Sequence, residues 1–108
     1  MERRPVTGVG SLQPTPEAAR AWAASVKTEL GLVEFSVGCC GDHLTLWSIR
    51  VPLAKRSRGI GSLALLELTK YLDENGLTAF VSPASRDYTS GTTSRARLVR
   101  FYRRFGFV

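Results

Sequence analysis

The stretch VPLAKRSRGIGSLALLEL, residues 51–68, constrains the chain more than any other. An apolar run ends at Val51, a basic segment follows, and Gly59 and Gly61 open a second apolar run whose spacing is helical. A strand that hands over to a helix in this way leaves the first helical N–H groups unpaired and partly positive, which makes the junction a seat for an anion. Glycine keeps side-chain atoms from holding a bulky phosphate off the backbone, and Arg56 and Arg58 add full charges beside it.

Two familiar phosphate loops do not fit. A Walker A loop needs a glycine, four residues and then Gly-Lys-Ser/Thr, and GIGSLALLE has no such lysine. A dinucleotide turn is nearer, because Gly59, Gly61 and Ala64 satisfy G-x-G-x-x-A. Seven residues, Pro52 to Arg58, separate its first glycine from the strand, however, and no acid ends the next strand to hold a ribose.

The rest of the chain reads as one α/β domain. Thr15, Pro16 and Glu17 form a helix start, and Ala19, Trp22, Ala23, Val26 and Leu30 recur at helical spacing up to Gly31. LVEFSVG and HLTLWSIRV read as two strands of a hairpin, with CCGD as the turn. Ile60, Leu63, Ala64, Leu68, Tyr71 and Leu72 form the inner stripe of a second helix that Asn75 and Gly76 end. LTAFVS is the next strand. Its helical link to the strand ending at Val51 predicts a right-handed crossover with parallel pairing. Residues 83–94 read as a mobile polar loop, and Ser94 can cap a last helix with Leu98, Phe101, Tyr102 and Phe105 inside. Residues 1–14 read as a flexible lead-in to a single domain over 15–108.

With 108 residues and 44% hydrophobic content, one compact core is the expectation. No apolar run approaches the roughly 20 residues that span a bilayer, and the N-terminus lacks the apolar segment of a secretion signal, so a cytoplasmic location is expected. The two cysteines, Cys39 and Cys40, are adjacent, which suits reduced thiols better than a disulfide framework. CCGDH offers candidate metal ligands, but no second Cys/His pair exists to close a tetrahedral site, so no metal is expected. The net charge of +6 is concentrated in two places. Arg50, Lys55, Arg56 and Arg58 supply one; Arg86, Arg95, Arg97, Arg100, Arg103 and Arg104 supply the other. Two such concentrations point to an anionic ligand or partner.

One family accounts for the junction as a whole. IRVPLAKRSRGIGSLALLEL resembles the acetyl-CoA signature of GNAT-type N-acetyltransferases, a strand ending in valine followed by a Q/R-x-x-G-x-G/A turn, here Arg56 to Gly61 with Val51 five residues earlier. LVRFYRRFGF is similar to the closing signature of the same superfamily, through Phe101, Tyr102, Gly106 and Phe107. The two motifs stand in the right order, with a predicted helix and strand between them, and the resemblance covers about residues 32 to 108. The compact layout is also similar to very small acetyltransferases of phages and other mobile elements.

The resemblance implies an α/β GNAT fold, a mixed central sheet with flanking helices abbreviated at both ends, and acetyl-CoA as cosubstrate. The turn of Arg56, Ser57, Arg58, Gly59, Ile60, Gly61 and Ser62 would cradle the pyrophosphate. The strand edge at Ile49, Arg50 and Val51 would pair with the pantetheine arm, and the main chain near Val51 would hold the developing oxyanion. Tyr102 would protonate the leaving thiolate, its other reading being a core tyrosine. Arg95 stands where the family often has an asparagine contacting the cofactor, and Ser94 beside it could substitute. Thr45 stands about where many members carry a glutamate base, which leaves His43 as the nearest titratable candidate.

The function expected from these residues is direct transfer of acetyl from acetyl-CoA to an amine. A protein lysine is the favoured acceptor, because so short a chain does not enclose a small amine unless a second copy completes the pocket as a homodimer. The alternative is a GNAT-fold binding module, weakly active or inactive, that regulates a protein or nucleic-acid partner. A nucleic-acid binder using the last helix is disfavoured, since the aromatics among its arginines fall on the predicted inner face, where they cannot stack on bases.

Overall fold

The computed structural model describes residues 1–5, 14–55, 58–81 and 95–108. Its elements are β1 (Glu2–Arg3), α1 (Pro16–Leu30), β2 (Glu34–Cys40), β3 (His43–Arg50), a short 3-10 turn (Leu53–Lys55), α2 (Ile60–Asn75), β4 (Thr78–Val81) and α3 (Arg95–Arg103). They form an α/β domain around a four-stranded mixed sheet in the order β1-β4-β3-β2. β2 and β3 pair antiparallel, β3 and β4 parallel, and β1 and β4 antiparallel.

Local chemistry sets each boundary. The Thr15 hydroxyl accepts from the Ala18 N–H at 3.1 Å, closing the start of α1. Gly31 ends that helix at φ 66°, and Gly76 ends α2 at φ 63°, left-handed conformations that glycine adopts without steric cost. The β2–β3 turn is two residues, Gly41 and Asp42, with Gly41 at φ 61°. Cys39 and Cys40 therefore belong to the strand, which runs two residues beyond its expected end at Gly38.

The core lies on one side of the sheet. Phe35, Val37 and Cys39 of β2, Leu44 and Leu46 of β3, and Ala79 and Val81 of β4 all face it and are buried. α1 and α2 cover that side together, joined by the Trp22 ring stacked on Tyr71 at 4.0 Å. Side chains on the opposite face, among them Ser36, Thr45, Thr78 and Phe80, are only half-buried or exposed. The stripe of α2 is rotated slightly from the expected one. Leu65 is fully buried, whereas Leu63 is 48% exposed, because Ala64, Leu65, Leu68 and Leu72 share the face toward the sheet.

Residues 1–3 correct the expectation of a loose lead-in. Glu2 and Arg3 pair with Phe80 and Ala79, and Glu2 exchanges two 2.8 Å backbone hydrogen bonds with Val108 on its other side. The Arg3 side chain is the reason this short strand is anchored. Its guanidinium donates twice to the Asp73 carboxylate of α2, at 3.0 and 3.1 Å, and its Nε donates to the Phe105 carbonyl at 2.8 Å. One buried cation thus ties the first strand, the second helix and the C-terminal turn, with geometry that a fork-shaped guanidinium matches and an ammonium does not. Replacing Asp73 by asparagine leaves that cation without its charge partner and is expected to lower unfolding free energy by roughly 1–3 kcal/mol. Urea denaturation of Asp73→Asn beside the parent checks this; equal midpoints would show the clamp contributes nothing.

Candidate functional site

The glycine turn, the end of β3 and the last helix meet at one place. A methyl group on Gly61 would sit 3.6 Å from Cζ of Phe101 and 3.9 Å from Cγ2 of Val51. Two motifs far apart in sequence therefore come together at the start of α2. Their meeting follows from topology, because a parallel crossover returns its helix toward the sheet from the carboxyl end of the first strand.

α2 begins without a capping side chain. Gly59 stands at its N-cap with φ 76°, and the first helical bond runs from the Leu63 N–H to the Gly59 carbonyl at 3.0 Å. The N–H groups of Ile60, Gly61 and Ser62 precede that bond, so they carry the positive end of a 16-residue helix. The space around Gly59 is open, with no atom within 4 Å of where a side chain would start. These features suit a phosphate.

The structure also sorts the basic residues of this stretch. Arg58 is exposed at the turn. Lys55 instead lays its ammonium against Gly31, at the C-terminal end of α1, where the helix dipole favours a cation. Arg50 directs its guanidinium toward Glu34 at 3.9 Å across the open face of the sheet. Only part of the local charge therefore serves the turn. Arg56, Ser57, Ser94 and the polar loop 83–94 lie outside the described residues.

Toward the turn, β3 keeps its pairing with β2 to Arg50. Among the described residues the last parallel pair is Leu46 with Val81, and Trp47 to Arg50 continue with β2 alone beside them. Ile49 faces the core with Phe35, while Val51 reaches Gly61. Tyr102 is buried, its ring edge-on to Phe101 and Phe107 at 5.6 and 5.7 Å. Arg103 and Arg104 are exposed, with the Arg104 guanidinium 5.6 Å from the centre of the Phe101 ring.

His43 is not brought to this place. It begins β3, eight residues before Val51, which at strand rise is roughly 25 Å away. Even Leu46, three residues along the strand, is about 10 Å from it, beyond the reach of one bridging water. Its ring stacks on Phe80 at 5.2 Å, and its Nδ1 lies 2.9 Å from the Asp42 carboxylate, so it is occupied at the hairpin end.

Sequence reading missed a second feature of β3. Between the Ser36–Ser48 and Val37–Leu46 pairs the register slips, so Trp47 is an extra residue, a β-bulge. Gly38 in the middle of β2 was the available signal, since a glycine inside a strand pattern marks a bulge or a close approach.

No protein-family model, curated protein or solved structure matches this chain. Among the described residues no group of three or more His, Cys, Asp and Glu could hold a metal ion, and no helix is long and apolar enough to cross a membrane.

The cysteines lie apart from the glycine turn, on β2. Burial, and secondarily the neighbouring Cys40, raises the Cys39 thiol above its ordinary value, and its Sγ lies 3.7 Å from the Pro14 carbonyl. Cys40 is exposed. Iodoacetamide at pH 8 is therefore expected to modify Cys40 in the folded protein and Cys39 only after unfolding. Peptide mass mapping decides it; equal labelling of both in the native state would contradict the packing of β2.

Proposed function

We propose that the chain is an N-acetyltransferase of the GNAT type, with a GNAT fold, and that it passes acetyl from acetyl-CoA directly to an amine. The observation that carries this is the approach of Val51 and Phe101 to Gly61, where an added methyl would lie within 3.9 Å of both, which brings the two signature-like motifs together at the uncapped start of a helix. The pyrophosphate of the cosubstrate sits on the N–H groups of Ile60, Gly61 and Ser62, with Arg58 beside them. The pantetheine arm extends along Ile49, Arg50 and Val51, pairing with the backbone of β3 as an added strand does.

In the reaction the amine nitrogen attacks the thioester carbonyl, the C–S bond breaks, and the nitrogen loses a proton as the thiolate gains one. The backbone near Val51 stabilises the oxyanion that forms on the way. Tyr102, next to the Phe101 that approaches Gly61, gives the thiolate its hydrogen bond or proton. His43 has no part, so an amine arrives deprotonated or loses its proton through water. The remoteness of His43 also favours the second reading, a coenzyme A-binding module with little or no turnover.

Two substitutions at Gly61 separate cofactor binding from folding. A methyl there meets Phe101 and Val51 at ordinary contact distance, so Gly61→Ala is expected to fold normally. Gly61→Asp places a carboxylate on the phosphate seat and is expected to abolish acetyl-CoA binding by calorimetry. Tyr102→Phe is expected to keep that binding and to lower the release of free thiol by roughly ten- to a thousandfold. Unaltered affinity in folded Gly61→Asp overturns the placement of the cofactor. Binding without thiol release in the parent protein selects the binding module.

A further inference from the structure

We propose that the exposed side of α3 is a docking surface for double-stranded nucleic acid, held through its phosphates and without reading sequence. The inference does not rest on the acyl-transfer reading. It starts from where the net charge lies. The first 94 residues hold ten basic and nine acidic side chains, whereas residues 95–108 hold five arginines and no acid, which is +5 of the net +6. The charge of the chain is therefore a property of one nine-residue helix and the turn that follows it.

The helix sets these charges side by side. Arg97, Arg100 and Arg104 follow one another at three- and four-residue steps, and Arg103 is three residues from Arg100, so the four share one side and all are exposed. Arg104, one residue past the helix, keeps a helical bond to the Arg100 carbonyl at 3.3 Å. Ala96 is exposed in the same row as Arg100 and Arg103, and it is too short to obstruct an approach. Elsewhere arginine is matched by acid. Arg3 lies against Asp73, Arg4 against Glu2, Arg20 against Glu17 and Arg50 against Glu34. Among the described residues no carboxylate comes within ion-pair reach of Arg100, Arg103 or Arg104, and Arg104 rests on the Phe101 ring. The dipole of α3 favours a cation in its last turn, but three guanidinium groups set together repel one another. Such a surface is completed by an anion from outside.

The chemistry of the surface favours phosphate over carboxylate. An exposed arginine–carboxylate pair contributes little and is screened by salt. A nucleic acid carries condensed counterions, and each phosphate that an arginine neutralises releases them, so the contacts add up along the surface. The planar guanidinium also meets two phosphate oxygens at once. At helical rise α3 is roughly 13 Å long, and a duplex carries one charge about every 1.7 Å of its axis. The helix therefore spans several phosphates. Tyr102 is buried, and Phe101 and Phe105 are half-buried on the other side of α3, so base stacking is not available here. That disfavours single strands on this surface, while a duplex presents its phosphates without unstacking.

The test follows the fluorescence anisotropy of a labelled DNA duplex of about 20 base pairs and mixed sequence, titrated with the whole protein at salt concentrations from roughly 50 to 200 mM. The logarithm of the affinity is expected to fall against that of salt with a slope of about −3, three to four phosphates being engaged. Arg100→Gln with Arg103→Gln is expected to weaken binding roughly tenfold or more and to flatten the slope by about two, and Arg100→Lys with Arg103→Lys to keep most of it. Arg20→Gln with Lys27→Gln, on the exposed side of α1, removes the same net charge and is expected to leave the slope unchanged. No binding, or equal losses in the two glutamine variants, overturns the proposal. Polyglutamate that displaces the duplex as well as unlabelled duplex does, or an oligothymidine that binds more tightly, overturns it too. Acetyl-CoA is added last. Displacement of the duplex as acetyl-CoA saturates assigns these arginines to the cosubstrate and overturns the proposal; a duplex that stays bound supports it, whether or not acetyl-CoA binds.

Discussion

The parallel pairing of β3 with β4 is the constraint on which the architecture rests. Two parallel neighbours need a crossover, and here α2 supplies it. The helix then has to start at the carboxyl end of β3, so the N–H groups of its first turn and the last residues of the strand are brought to one edge of the sheet. A glycine at the N-cap and another in the first turn leave that edge open. The candidate phosphate seat is thus a product of topology, and the local sequence refines it by removing side chains and adding arginine.

The one-sided core follows from the same arrangement. α1 and α2 lie on the same face, where Trp22 and Tyr71 stack, and the buried residues of all three long strands point to them. Burial raises the Tyr71 hydroxyl above its ordinary value, with Cys39 a lesser cause, as befits a ring wedged between two helices. The Arg3 clamp closes the far side by joining β1, α2 and the turn after α3. Among the described residues the sheet has one buried face and one half-buried face, and the backbone of β3 reaches the candidate phosphate seat at one end while Trp47 stands exposed on the second face.

Much of this was legible in the sequence, and for reasons that differ element by element. α1 was readable at both ends because its cap and stop are local: a threonine hydroxyl, a proline in the first turn and a glycine that must be left-handed. The glycine junction was readable because its chemistry is carried by consecutive residues. The strand β1 was not, since two residues have no periodicity, and what fixes them is a guanidinium reaching Asp73 and Phe105 from the far end of the chain. His43 misled because face alternation places it correctly and strand length does not enter that argument; the rise of β3 removes it from Val51. Alternation from Leu44 and Leu46 already turns Trp47 outward; the register slip that follows it, which sets Ser48 opposite Ser36 and Ile49 toward the core, is what the residue pattern does not show.

On the proposed reading, the start of α2, the end of β3 and the aromatic face of α3 form one seat for coenzyme A. Backbone amide spectra of the protein labelled with nitrogen-15, recorded during an acetyl-CoA titration, test it most directly. The account predicts saturable shifts of Gly59, Ile60, Gly61 and Ser62 together with Ile49 to Val51 and Phe101, while the hairpin end at Gly41 to His43 stays unmoved. A spectrum that does not change, or changes clustered at the hairpin, would contradict it.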